Sequence, residues 1–310
     1  MALNVIALGG NAILDKVPTD VGQKEVVRKV ASDIIEFIEL GEKVVICHGN
    51  GPQVGNLMIQ QKAGDSEQTP MMHLDTNVAM TEGSIGYWIQ QAIRNELQRR
   101  RIDKGVVSVV TQVEVDQNDP SFQQPTKPVG PFYSKEEAEL RMEKGDGVYQ
   151  EDSGRGYRKV IASPKPGRIV EKDAILSLVD ADVITICVGG GGIPVVKNRL
   201  GDYEGVEAVI DKDLSAKNLA KEIHADRLII LTGVDNIYIN YNQPNQKKLE
   251  CLTIAEAKQY IKENQFPAGS MLPKVESAIE FVKSSRGEAV ITSINNLRNI
   301  VDGYGTKIVC

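Results

Sequence analysis

Three lysines in this chain stand where a lysine does little for stability and much for an anion. Lys212, in Val209-Ile-Asp-Lys-Asp213, closes a strand-like run and opens a helical one. Lys274, in Gly269-Ser-Met-Leu-Pro-Lys274, falls in the first turn of a helix that Pro273 helps to start. Ammonium groups at helix N-termini oppose the helix dipole, and an anion between them would resolve the conflict. Lys127 lies in Pro125-Thr-Lys-Pro-Val-Gly-Pro131, where prolines stiffen its backbone. Asp211 and Asp213 flank Lys212. At a helix start such acids can act as caps, or one of them can hold ammonium groups in place or reach a metal ion. No metal-ligand set is assigned.

Glycine turns supply the complementary backbone donors. Apolar strands run straight into Gly9-Gly10-Asn11, Gly49-Asn50-Gly51-Pro52 and Gly189–Gly192. Such turns remove side chains where a parallel strand ends and expose N–H groups to an anion when a helix follows. Either of the first two alone could be a plain tight turn. Four consecutive glycines are entropically costly, and close approach of a ligand explains them better than a turn. None of the three is a Walker A loop or a Gly-x-Gly-x-x-Gly dinucleotide fingerprint. The chain shows no Ser-His-Asp or Cys-His arrangement, so a protein nucleophile is not required. Direct phosphoryl transfer needs mainly positioning and charge neutralisation, which glycine turns and lysines provide. Two further features stay open. Arg155 and Arg158, in Ser153-Gly-Arg-Gly-Tyr-Arg158, suit a phosphate or an exposed salt bridge. Tyr238 and Tyr241 can face a purine or pack on strands.

The elements that must position these groups alternate. Val5–Leu8, Lys43–Cys47, Val106–Val113, Val183–Val188, Val206–Ile210, Arg227–Leu231 and Ala289–Thr292 read as strands, mostly as continuous apolar runs suited to a parallel sheet buried on both faces. Helical patterns fall at about Gln23–Leu40, Val54–Gln61, Thr76–Arg99, Ala174–Leu178, Leu214–Glu222, Ile254–Glu263 and Pro273–Lys283. The expected fold class is α/β: an open, doubly wound, mostly parallel sheet sandwiched by helices, in one domain spanning 1–310. Ligands bind such sheets at the carboxyl ends of strands, where the glycine turns lie. Between Asp119 and Pro166 the alternation weakens and six of the 13 prolines gather. This stretch is expected to form a small, protruding, lid-like subdomain.

Composition narrows the function. With 41% hydrophobic and 25% charged residues the chain reads as an ordinary soluble globular protein. A net charge of −6 argues against nucleic acid as a partner. Arg99, Arg100 and Arg101 end an amphipathic helix, where they favour its C-terminus. No run approaches a membrane span, and the N-terminus lacks the basic and apolar regions of a signal peptide. Cys47, Cys187, Cys251 and Cys310 are scattered, with Cys47 and Cys187 in apolar runs that suit core packing, and the three histidines form no metal pattern. A reduced, cytoplasmic protein is expected.

With these residues in place, the chain resembles the carbamate kinases of the amino acid kinase superfamily over nearly its whole length. The resemblance lies in Ala7-Leu-Gly-Gly-Asn-Ala12, His48-Gly-Asn-Gly-Pro-Gln-Val-Gly-Asn56, Gly83-Ser-Ile-Gly-Tyr-Trp88, Pro125–Pro131, Glu151-Asp-Ser-Gly-Arg-Gly-Tyr-Arg158, Ser163-Pro-Lys-Pro166, Gly189-Gly-Gly-Gly-Ile-Pro194, Gly205–Asp213 and Gly269–Lys274. It implies reversible phosphoryl transfer between ATP and carbamate with Mg²⁺, often run toward ATP in arginine catabolism, by a homodimer. It also implies that Lys212 contacts the transferred phosphoryl group, that Lys274 meets the nucleotide phosphates, and that Asp213 orients the lysines. Asp211 belongs to the nucleotide side, and Met271 and Tyr241 border the adenine. Gly9, Gly10, Asn11, Gly49, Asn50 and Gly51 mark the carbamate side. Other superfamily members often carry a lysine in the first turn. Here that position is Asn11, and Lys127 is implied to supply the charge. Tyr157 and Ser153 stand where many relatives have tryptophan and alanine. Another small-acid kinase of the superfamily, such as an acetylglutamate kinase, and a catalytically silent nucleotide sensor are the alternatives.

Overall fold

The apolar runs become the centre of one large sheet. The structure, a computed structural model, describes residues 1–9, 13–14, 19–152, 154–267, 270–285 and 287–310. The chain begins with β1 (Leu3–Leu8), α1 (Asp20–Glu39), β2 (Lys43–His48), α2 (Gly51–Ala63), α3 (Leu74–Arg100), β3 (Val106–Ser108) and β4 (Gln112–Val115). Next come β5 (Lys127–Tyr133), α4 (Lys135–Glu143), β6 (Val148–Glu151), β7 (Tyr157–Ile161) and β8 (Pro166–Ile169). Then follow α5 (Lys172–Asp180), β9 (Ile184–Ile186), β10 (Ile193–Lys197), β11 (Tyr203–Gly205), α6 (Lys212–Glu222) and β12 (Arg227–Thr232). The last elements are β13 (Ile237–Ile239), β14 (Lys247–Leu249), β15 (Cys251–Thr253), α7 (Ile254–Lys262), α8 (Met271–Ser284), β16 (Glu288–Ser293) and β17 (Thr306–Val309).

The main sheet has eight strands in the order β15-β17-β16-β12-β1-β2-β9-β3. From β16 to β3 all neighbours are parallel, and β17 pairs β16 antiparallel. Alternate residues serve opposite faces, as a strand's period of two requires. Val5 and Ala7 join one buried cluster with Ala216 and Leu219 of α6 and Val275 and Phe281 of α8. Ile6 and Leu8 join another with Ile34 and Phe37 of α1 and Ile85 and Ile89 of α3. Two cores on two faces make the doubly wound α/β architecture that the sequence implies.

Two expected strands differ. Val106–Val113 divides: β3 stays in the main sheet, while β4 pairs with β10 and β8 in a second sheet of order β11-β10-β4-β8. Val206–Ile210 forms no strand beyond a single bridge from Ala208 to Ala162. Ala208, Val209 and Ile210 are buried on irregular backbone leading into the cap of α6.

Within the proline-rich stretch, β5, β7 and β6 form a three-stranded antiparallel sheet, and α4 joins β5 to β6. Ser134 and Glu137 cap α4 reciprocally. This sheet meets α2 backbone to backbone. A Cβ added to Gly55 would stand 2.4 Å from the nitrogen of Gly130, which has φ of +72°. Lys62 of α2 also reaches Asp146, between α4 and β6, at 2.6 Å.

Candidate active site

The carboxyl ends of β1, β2, β12 and β16 open into a cavity of about 560 Å³. The sheet order reverses between β1 and β12, since the chain leaves β1 toward β2 and returns to β12 on the other side. Ligands of open α/β sheets settle at such switch points. Gly9 follows β1, Gly49 follows β2, Gly233 follows β12 and Asn295 lies just past β16, and all of them line the cavity. The start of α2 at Gly51 and Pro52 also faces it.

The five charged residues singled out from the sequence meet at this cavity. Asp211 caps α6, its Oδ1 accepting the backbone N–H of Asp213 at 2.9 Å. Its Oδ2 accepts Lys127 Nζ at 2.6 Å, so the small sheet is tied to the helix start. Lys212 and Asp213 open α6 behind that cap. Asp213 accepts Lys212 on one oxygen and Lys274 Nζ on the other, the latter at 2.6 Å. Three ammonium groups against two carboxylates leave one positive charge over. Burial alone would raise the Asp213 carboxyl, but the two ammonium groups override it and hold it well below the carboxylate range. Burial lowers Lys212, with Asp213 opposing the shift. Burial would raise Asp211, but Lys127 and Lys212 together bring it below its ordinary value. The arrangement is an electropositive wall facing backbone donors, suited to a polyanion whose charge shifts during reaction.

Not every expected site residue arrives here. Gly10 and Asn11 lie outside the described residues. Tyr241 is half-exposed, 5.9 Å from Tyr238 between ring centres, and neither it nor Met271 lines the cavity. Met271 packs instead against the core beneath α8. The glycine run after β9 also has another explanation. A Cβ on Gly189 would meet His48 and Glu82, one on Gly190 would meet Asn50, and those on Gly191 and Gly192 would meet Ile210 and Val113. The close approach that demands glycine comes from the protein itself, and of the four only Gly190 lines the cavity. Sequence reasoning missed Thr232 and Ser293, which also line it. Their signal is position alone, each being the last residue of a buried parallel strand.

Behind the turns sit two buried titratable groups, His48 and Glu82. Burial pushes the Glu82 carboxyl up to about 8 and the His48 imidazole down to about 4. Unfolding frees a Glu82 that ionises near 4.5, so its contribution to stability is full below that pH and is lost as pH rises through 8. The His48 contribution is full above 6.5 and is lost as pH falls through 4. Between pH 6.5 and 8 only the Glu82 loss acts. Melting temperature is therefore expected to fall over that interval, and Glu82→Gln to flatten the fall. Equal slopes for the two proteins in a thermal-melt pH series would refute this.

The Amino acid kinase family model matches residues 2–293. The chain belongs to the amino acid kinase family. Relatives matched end to end include carbamate kinases. Carbamate kinase 2 of Enterococcus faecalis is 64% identical over 309 residues, covering 99% of each chain. Carbamate kinase of Lentilactobacillus hilgardii is 53% identical over 306 residues, covering 98% of this chain and 96% of the relative. Among solved structures, carbamate kinase from Giardia lamblia bound to AMP-PNP superposes with a TM-score of 0.90 at 42% identity, covering 99% of this chain and 98% of that one. These enzymes are phosphotransferases. Among the described residues, no helix is long and apolar enough to cross a membrane.

Proposed function

We propose that this chain is a carbamate kinase that moves a phosphoryl group reversibly between ATP and carbamate, running toward ATP during arginine catabolism. One observation carries the reading: Lys127, Lys212 and Lys274 converge on Asp211 and Asp213 at a cavity walled by strand-end glycines. The end-to-end likeness to carbamate kinases supplies the substrates.

The transfer is in line and direct, with no covalent enzyme intermediate. Gly9, Gly49, Asn50 and Gly51, with Gly10 and Asn11, hold the carbamoyl oxygens through backbone and amide donors. Lys212 meets the phosphoryl group in flight and Lys274 the nucleotide phosphates. Asp213, bonded to both, fixes the separation of the two ammonium groups. Lys127 brings the third charge from the small sheet, part of the 119–166 stretch that works as a lid and excludes water during transfer. Charge spreading over the equatorial oxygens is then met by donors already in place. The adenine end extends beyond the cavity lining, toward Tyr241 and Met271.

Among the described residues no cluster of carboxylate, thiolate or imidazole groups can cage a metal, and Asp211 and Asp213 are both paired with lysines. Mg²⁺ would be held by the nucleotide phosphates rather than by these carboxylates, and it would neutralise phosphate charge there. We further propose a cytoplasmic homodimer.

The deciding experiment is ATP formation from ADP and carbamoyl phosphate with Mg²⁺, read by a coupled assay. Stoichiometric ATP is expected, with no phosphorylation of N-acetylglutamate in the reverse direction. Tight ADP binding without ATP formation would make the chain a nucleotide sensor instead.

A further inference from the structure

We propose that Glu82 is a positioning residue for the small-substrate side of the site, acting through a strained turn at Val188 and touching no reacting atom. The proposal rests on the carbamate kinase reading above. Val188 follows β9, is fully buried, and has φ 54° and ψ 39°. Left-handed backbone is unfavourable for a β-branched residue and persists only where its surroundings over-determine it.

Two hydrogen bonds do so. The Val188 N–H donates to Thr111 Oγ1 at 3.0 Å, and the Gly189 N–H donates to Glu82 Oε1 at 2.8 Å. The second carboxyl oxygen accepts the Thr111 N–H at 3.1 Å. One side chain of α3 thus ties together both segments that meet at the turn. There is no room for slack. A Cβ on Gly189 would stand 2.5 Å from His48 Nε2 and 2.6 Å from Glu82 Cγ, and one on Gly190 would stand 2.3 Å from Asn50 Nδ2. Asn50 in turn donates to Thr81 Oγ1 at 2.8 Å. Consecutive residues of α3 therefore hold two cavity-lining turns, Thr81 through Asn50 and Glu82 through Gly189. The other titratable groups around Glu82 are His48 and Cys47 at the end of β2, Cys187 after β9 and Glu171 before α5.

Glu82→Gln is the sharpest test. A carboxyl accepts at both oxygens whether ionised or protonated, whereas an amide nitrogen has no lone pair to offer a facing N–H. One of the two clamp bonds is lost however the amide turns. The KM for carbamoyl phosphate is expected to rise about tenfold, with the KM for ADP within about twofold. Adding Val188→Gly should rescue much of the loss, because glycine adopts the turn's conformation without strain. A merely structural role would lower melting temperature, leave the kinetic constants of the folded fraction alone, and worsen with Val188→Gly. Hydrogen exchange over 186–192 and 48–53 should quicken in Glu82→Gln. If that variant does not fold, Thr81→Val decides, with the same split between the two KM values expected. Unchanged constants and unchanged exchange in whichever variant folds would overturn the proposal. The wild type keeps the two readings apart: no ATP formation by it would refute the carbamate reading and leave positioning to be judged by exchange alone.

Discussion

Replacing Asp213 with asparagine is expected to abolish most activity and to lower the melting temperature by about 6 °C or more. Asp213 is buried and bonded to both Lys212 and Lys274. Removing its charge leaves two ammonium groups at close quarters with no compensation between them. The amide would also point donors at a donor. Breaking a buried ion pair by deleting one partner typically destabilises by about 3–5 kcal/mol, because the remaining charge stays desolvated. Turnover should fall at least about a hundredfold, since both lysines lose their fixed positions. Thermal melts and the coupled assay read the two effects separately. A variant that melts like wild type and turns over within threefold would remove Asp213 from its organising role.

Lys127→Ala should behave differently, with a large kinetic effect and a small thermal one. Its ammonium pairs with Asp211 while its side chain stays 37% exposed, so solvent screens the pair and folding gains little from it. Activity depends on it far more. A single preorganised donor at a site of developing charge is worth about 10²–10³ in kcat, and among the described residues no other cation from the small sheet lines the cavity. Lys135 is the matched control: it lies on α4 beside the same small sheet, is 63% exposed and reaches Glu139 loosely at 3.9 Å. Lys135→Ala should leave turnover within about twofold. Lys127→Ala at near wild-type kcat would show that the third charge is not needed.

Much of this was legible in the chain because the signals were local. β1, β2, β12 and β16 are continuous apolar runs, and a parallel strand buried on both faces has no other way to look. Lys212 and Lys274 stood out because each contradicts a helix dipole, a conflict visible without coordinates. What escaped depended on tertiary burial. Glu82 sits on a long amphipathic helix and reads like any solvated acid until β9 and the Thr111 segment close over it. Val206–Ile210 carries four apolar residues and is buried from Ala208 to Ile210, yet its hydrogen bonds go elsewhere. The glycine run after β9 suggested a ligand because its real neighbours, His48, Glu82 and Asn50, come from distant sequence. β15 and β17 at the sheet's edge are short and carry little pattern.

The meeting of Gly55 with Gly130 has a consequence for how far this family of sequences can drift. Gly55 follows the substrate-side turn's last residue, Pro52, by three positions on α2, and Gly130 follows Lys127 by three on β5. Their backbones touch where a methyl group on Gly55 would stand 2.4 Å from Gly130 N. The absent side chain of Gly55 therefore acts as a spacer gauge between the second turn and the third lysine, while Gly130, where a Cβ would meet nothing, is glycine for its φ of +72°. A mutation adding even one carbon to Gly55 would widen the gap and carry Lys127 outward. Substitutions around the small sheet can be accepted freely only while this zero-length spacer stays in place.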